Sequence, residues 1–221
     1  MTSTVTRTLA EHESKRVLAA AGVPVQDERV VQTPDAAVDA AREVAPGRAV
    51  VAKLCGDGVA HKTERGLVRL GLHGDDDVSA ASAALLDAAT PEDGVVGVLV
   101  APMVRGSREL IAGVYRDDQF GPSVMLGIGG VLAEALADVA FRLVPVERVD
   151  AEEMLDDLAA QPLLGPVRGE PPVDRGAVAD VILGLSQLTE DRPDIVSVDV
   201  NPLVVVDGRP VAVDALVEVR A

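Results

Sequence analysis

Alternation of valine-class and polar positions is clearest near the C-terminus. Between Asp194 and Val219 two valine-rich runs flank Asp207-Gly208. Asp-Gly between β-branched runs predicts a hairpin closed by a two-residue turn. Such a turn pairs Val206 with Arg209, and counting back sets Asn201 opposite Asp214 as a non-hydrogen-bonded pair, with Cα atoms about 4.5 Å apart. Asp199 lies two residues before Asn201, so the period of two gives all three polar groups one face, shared with Leu203, Val205 and Ala212. Val198, Val200, Val204, Val211 and Val213 take the other. Three oxygen-bearing side chains on such a face suit a hard divalent cation such as Mg²⁺. The alternative, an edge charge beside a strand-opening Asn-Pro, stands level with it. Pro202 lacks the N–H that this register asks of it, and a bulge there would shift the pairing while leaving Asn201 and Asp214 close.

The remaining pattern mixes helical and extended periods. Thr8-Leu-Ala-Glu11 has capping-box spacing and predicts a helix through Arg16 and Leu18 to Gly22. Val23–Val31 reads as a strand, and Thr33-Pro34 as the N-cap and first residue of an alanine-rich helix to about Ala45. Strands at Arg48–Leu54 and Leu67–Leu72 flank a polar, glycine-punctuated segment from Gly56 to Gly66. Asp75-Asp76-Asp77 load the start of a helix ending near Ala89, as the helix dipole favours. Strands at Val95–Val100 and Leu110–Tyr115 follow.

Beyond the turn-rich Arg116–Pro122 come a strand Ser123–Leu126, the turn Gly127-Ile-Gly-Gly130, a short helical piece and a strand around Phe141–Val144. Helices Ala151–Ala160 and Asp174–Thr189 precede the hairpin, and Pro162–Pro172 reads as a loop. The implied class is α/β (α+β), with two α/β lobes and a cleft between them. Residues 23–115 form the smaller lobe; residues 1–22 plus 116–221 form the larger, hairpin-bearing one.

Composition narrows the chemistry. A net charge of −16 over 221 residues argues against nucleic acid or an anionic membrane as the main partner. An anionic substrate would need a local concentration of cationic or N–H groups. Lysine is scarce, with only Lys15, Lys53 and Lys62 against seventeen arginines. Two of the three fall in one glycine-flanked stretch, where a compact ammonium does what an arginine cannot. Cys55 is the single cysteine, which excludes an intrachain disulfide framework. With neither a signal-peptide pattern nor a bilayer-length apolar run, a cytoplasmic location is expected.

Four places could carry chemistry. Lys53 projects from a buried strand, so its ammonium must meet a carboxylate or a bound anion. The glycines that follow would let backbone N–H groups approach that anion. His61 is either a phosphate-accepting nucleophile and proton carrier or an ordinary loop histidine. Gly127-Ile-Gly-Gly130 resembles a phosphate-binding turn, although taken alone a tight turn at a lobe boundary explains it better. Walker A is absent, and Leu132 stands where a dinucleotide fingerprint needs its third glycine. Glu134, Asp138 and Arg142 follow at spacings of one lined surface, with Arg142 as a phosphate clamp. Glu109 opens a strand directly after a glycine loop.

Read in order, Lys53…His61-Lys-Thr, Met103…Arg108-Glu-Leu-Ile-Ala-Gly-Val-Tyr-Arg-Asp-Asp-Gln-Phe-Gly-Pro122 and Gly127-Ile-Gly-Gly-Val…Glu134…Asp138…Phe141-Arg-Leu-Val-Pro145 resemble one family. Arg168-Gly169 and Asp199-Val-Asn-Pro-Leu203…Val213-Asp214 add to the match. The resemblance is to the ATP-grasp subunit of ADP-forming acyl-CoA synthetases, and the hairpin is similar to that of succinyl-CoA synthetase β subunits.

The resemblance implies that Lys53 and Glu109 contact ATP or ADP, with Val100 to Met103 lining the adenine and Gly129, Gly130 and Glu134 near the nucleotide. Asp199, Asn201 and Asp214 would hold Mg²⁺. His61 would be transiently phosphorylated, with Arg142 assisting. It further implies a hetero-oligomer with a CoA-binding α-type subunit carrying its own phosphohistidine, or a homodimer when alone. Where family members often have two consecutive glycines, this chain has Gly66-Leu67. Two rivals remain: a stand-alone ATP-grasp carboxylate–amine ligase, and a nucleotide-binding regulatory subunit without turnover.

Overall fold

The computed structural model describes residues 5–59, 62–130 and 137–221. Its first elements are β1 (Thr6–Thr8), α1 (Glu11–Ala20), β2 (Arg29–Val31), α2 (Pro34–Val44), β3 (Val50–Gly56), β4 (Val68–Leu72), α3 (Gly74–Asp87) and β5 (Val95–Pro102). There follow β6 (Arg108–Asp117), β7 (Gly121–Ile128), β8 (Val139–Leu143), α4 (Arg148–Asp157), α5 (Arg175–Asp191), β9 (Ile195–Val206), β10 (Arg209–Ala212) and β11 (Ala215–Arg220). The chain divides into two compact units: Met1–Arg7, Ser14–Val25 and Val104–Ala221 form the first, Thr8–Glu13 and Gln26–Met103 the second. This division differs from the lobes expected at 23–115 and 1–22 plus 116–221: residues 23–25 and 104–115, with most of the strand β6, fall in the first unit, and Thr8–Glu13 fall in the second. Hydrogen bonding to both β7 and β9 holds that strand inside the first unit.

In the second unit β2-β5-β3-β4 form an antiparallel sheet in that order. Alternation decides its two faces. Val50, Ala52 and Leu54 point into a core shared with Ala37, Ala40 and Val44 of α2 and Val78 and Leu85 of α3. Val51 and Cys55 point the other way, onto Leu99, Ala101 and Ala10. Thr33 caps α2 as its sequence predicts, its Oγ1 accepting from the Ala36 N–H at 3.3 Å with Pro34 next in line.

The first unit is built on a seven-stranded sheet, β1-β11-β9-β6-β7-β8, with β10 also paired to β9. The register sets Val198, Val114, Val124 and Arg142 in one cross-strand row and Asp199, Gly113, Met125 and Phe141 in the next. Neighbouring rows face opposite sides. The valine row joins the core with Met154 and Leu155 of α4 and Val181, Ile182 and Leu185 of α5. Aromatics stay out of it: Tyr115, Phe120 and Phe141, the chain's only three, are 61%, 66% and 54% exposed.

The predicted hairpin forms in the predicted register. Val206 pairs with Arg209 and Leu203 with Ala212, across a turn whose Asp207 and Gly208 both have positive φ, as the favoured two-residue hairpin turn requires. The same register resumes at Val200–Ala215, so Asn201 and Asp214 stand across from each other in the gap between β10 and β11. The missing N–H of Pro202 falls in that gap.

Candidate functional site

Lys53 leaves β3 on the face opposite α2 and α3, beside Val51 and Cys55, and is 6% exposed. Its buried ammonium meets a carboxylate, that of Glu11, at 2.7 Å. Lys62 reaches the other oxygen of the same group. Glu11 begins α1, so the sequence reading of this residue needs correction. Thr8 ends β1, the helix starts two residues later than expected, and the Glu11 carboxylate joins two lysines. The signal missed was chemical: a buried lysine in an acidic chain demands a partner acid, and local spacing alone had already accounted for Glu11.

His12 follows Glu11 and lies 3.4 Å from the Cys55 sulfur. Burial pushes the Cys55 thiol up, with a hydrogen bond from the His12 backbone opposing it, which makes this cysteine a packed hydrophobe rather than a nucleophile.

The segment after Lys53 is fastened to the turn at Pro91–Asp93. Gly58 N–H donates to Asp93 O at 3.0 Å, and Arg65 grips the Asp93 carboxylate. A Cβ on Gly56 would stand 2.3 Å from Asp93 O, and one on Gly58 2.0 Å from Glu92 O. These two glycines therefore serve close backbone packing, and the anion-cradling N–H expected of Gly58 is already engaged. Leu67, which stands where family members often have a second glycine, is a buried core residue whose N–H donates to Lys62 O at 2.7 Å. The guanidinium of Arg65 and the N–H of Thr90 hold the Asp93 carboxyl well below the usual carboxylate range. His61 lies outside the described residues.

Val100 packs in the core against α2 and α3. The chain leaves the sheet at Met103, whose N–H donates to Ala49 O at 2.9 Å. A hollow of about 220 Å³ between α2 and the start of α3 contains none of the expected site residues.

In the first unit the bulge at Asn201-Pro202 is real, but it lies in the ladder to β6 rather than in the hairpin. Leu110 pairs with Leu203 and Ala112 with Val200, so Ile111 alone faces two residues of β9. A bulge of this kind re-aims side chains. Beyond it Leu203 and Val205 join the helix-covered core, each 0% exposed. That corrects the face assigned to Leu203, Val205 and Ala212, which do not share a side with the polar trio. Asp199 and Asn201 stay exposed, and Val204, paired with Glu109, comes round to the Asp199 side. Glu109, four residues before Gly113 on β6, lies on the face that carries Asp199 by alternation alone.

Crowding by protein, then the Asp214 charge, raise the Asp199 carboxyl above its ordinary value. Two carboxylates and an amide oxygen, all hard oxygen donors, are a donor set that fits a hard divalent cation. Among the described residues no group of three or more His, Cys, Asp or Glu is placed to hold a metal.

Gly129 follows β7, and its N–H donates to Glu109 O at 2.8 Å. Gly130 has φ +89°, and a Cβ there would stand 3.8 Å from Glu109 Oε2. Glu109, Gly129 and Gly130 are thus one local cluster. Glu134 and the short helical piece after Gly130 lie outside the described residues. Asp138 accepts from the N–H groups of Ala159 and Ala160, both at 2.8 Å. Arg142 stands apart. It sits in the valine row, on the opposite face from Asp199, and bonds Asp157 at 2.7 Å and Glu153 at 3.5 Å on α4.

The family model for the ATP-grasp domain matches residues 1–219. The β subunit of acetate–CoA ligase [ADP-forming] I from Pyrococcus furiosus is 36% identical over 212 residues, 95% of this chain and 90% of that one. Acetate–CoA ligase [ADP-forming] I from Archaeoglobus fulgidus is 38% identical over 205 residues, which are 91% of this chain but 30% of the relative. Among solved structures, acetyl-coenzyme A synthetase 1 of Ca. Korarchaeum cryptofilum, in complex with coenzyme A, Ca-AMPCP and HgCl+, superposes with a TM-score of 0.90. That match has 34% identity and covers 97% of this chain and 94% of the other. A mixed α/β chain with this sheet pairing, matched over nearly its whole length, belongs to the ATP-grasp family, among the β-type subunits of ADP-forming acid–CoA ligases.

Proposed function

We propose that this chain is the nucleotide-binding subunit of a heteromeric ADP-forming acid–CoA ligase. It serves the nucleotide half of acyl-CoA + ADP + phosphate ⇌ acid + CoA + ATP. The observation that supports this is the likeness to a relative named as a β subunit of an ADP-forming acetate–CoA ligase, 36% identical and spanned to 90% of its length. In this reading the CoA-binding and acid-activating parts are supplied by a partner that carries its own phosphohistidine.

In this reading His61 accepts the phosphoryl group and passes it to ADP. The P–N bond of phosphohistidine breaks as a P–O bond forms to a β-phosphate oxygen. Such transfer depends on positioning and charge neutralisation more than on covalent chemistry by the protein. Lys53 supplies a compact cation to the phosphates, and Glu109 with Gly129 and Gly130 flanks the nucleotide. The backbone from Val100 to Met103 lines the base. Asp199, Asn201 and Asp214 would hold Mg²⁺, which when bound neutralises phosphate charge. The scheme assigns no phosphate contact to Arg142, which pairs with Asp157 of α4.

The test is reconstitution with a CoA-binding partner subunit and labelled ATP. Label on His61, and loss of acyl-CoA formation in His61→Ala with MgADP binding retained, is the expected result. Unchanged turnover in that variant would refute the relay. A stand-alone ligase would instead join an acid to an amine without labelling the histidine.

A further inference from the structure

Two of the chain's three lysines meet at a single carboxylate. The Glu11 side chain is 4% exposed and takes Lys53 on one oxygen and Lys62 on the other. Ammonium groups removed from water require an anion, and here the protein supplies it from the first residue of α1. A nucleotide polyphosphate offers the same ammonium groups a stronger acceptor, but its charge has the same sign as that of Glu11. Both anions cannot hold the lysines at full strength without close like-charge repulsion.

We infer that Glu11 is an internal stand-in for phosphate, a positioning residue that keeps Lys53 and Lys62 ordered in the nucleotide-free chain and yields them when polyphosphate arrives. This rests on the reading of Lys53 as a phosphate ligand. Two consequences of opposite sign follow. Glu11 stabilises the fold by pairing buried cations, and it weakens nucleotide binding by competing for them. Affinity tempered in this way suits a subunit that must release nucleotide at every turnover.

Calorimetry of the full chain with MgADP, paired with thermal melts, tests the inference. Glu11→Gln keeps the shape and removes the charge. It is expected to tighten MgADP about fivefold while lowering the melting temperature of the nucleotide-free chain. A residue with a merely structural role would lower both affinity and stability. Glu11→Asp, which retains a carboxylate and slackens its reach, is expected to fall between the two and gives a reading even if Glu11→Gln does not fold. Unchanged or weaker MgADP binding in the folded variants overturns the inference. Lys53→Met separates the failures. If it weakens MgADP and Glu11→Gln does not tighten it, only the role of Glu11 is lost. If Lys53→Met has no effect, the phosphate-ligand reading falls and takes this inference with it.

Discussion

Arg65 holds Asp93 through both terminal guanidinium nitrogens, at 2.6 and 2.9 Å, and so ties the segment after Lys53 to the turn that precedes β5. Asp93 is 2% exposed and also accepts from the Thr90 N–H at 2.8 Å. Its carboxyl is held below the usual range in the folded chain. The stability it contributes is therefore complete above the unfolded value, near about 4, and is lost as pH falls toward the folded one. Asp93→Asn should lower stability at pH 7 by about 2 kcal/mol and flatten the acid limb of the stability curve. Urea melts at stepped pH measure both.

The Asp199 carboxyl is shifted the opposite way, so its sign reverses. Without metal, the folded chain holds that proton more tightly than the unfolded chain does, and stability falls as pH rises through the raised value. Asp199→Asn should raise the metal-free melting temperature at pH 7 by about 1–2 °C. Mg²⁺ should raise the melting temperature of the native chain but not of the variant. Asp214→Ala should lose the Mg²⁺-dependent part of nucleotide affinity, read by calorimetry with and without the ion.

Gly129 has no room for a side chain, since a Cβ would lie 3.0 Å from both Glu109 C and Leu110 O. Gly129→Ala must push the turn off β6 and strain its bond to Glu109 O. A loss of about 1–2 kcal/mol in stability is expected, with MgADP binding weakened about tenfold. Equilibrium melts and calorimetry on the same preparation check the two effects together.

Arg108, 5% exposed, donates to Gly165 O at 2.8 Å and Pro171 O at 2.6 Å, and meets Glu170 at 3.3 Å. It pins the Pro/Gly-rich connector onto β6. Arg108→Met strands those carbonyls and should destabilise the chain by about 3 kcal/mol. Arg108→Lys should not rescue it, because an ammonium cannot span the fork. Limited proteolysis is expected to cut first within residues 165–171.

Sequence reading succeeded where the chemistry was local. Asp207-Gly208 dictates its own turn, and the turn then dictates Val206–Arg209 and every pair down to Asn201 and Asp214. Thr33-Pro34 starts a helix for equally local reasons. It failed where the deciding neighbour is remote. Glu11 is 42 residues from Lys53, and nothing nearby distinguishes it from a capping glutamate. The bulge at Asn201-Pro202 was foreseen from the missing N–H, yet the strand that accommodates it is β6, some 90 residues earlier. Misplacing it reversed the face of Leu203 and Val205. Arg142 has phosphate-clamp spacing in one dimension, whereas the sheet turns it toward α4.

A core assembled from aliphatic side chains, with its single tyrosine and both phenylalanines left at the surface, changes how this molecule must be watched. Tyrosine emission and near-ultraviolet dichroism depend on rings entering or leaving an asymmetric apolar setting. Those signals will therefore barely register the loss of the native state. Backbone dichroism and calorimetry will follow it in full, and a flat optical trace under denaturant would be a property of the core's composition rather than a sign of resistance.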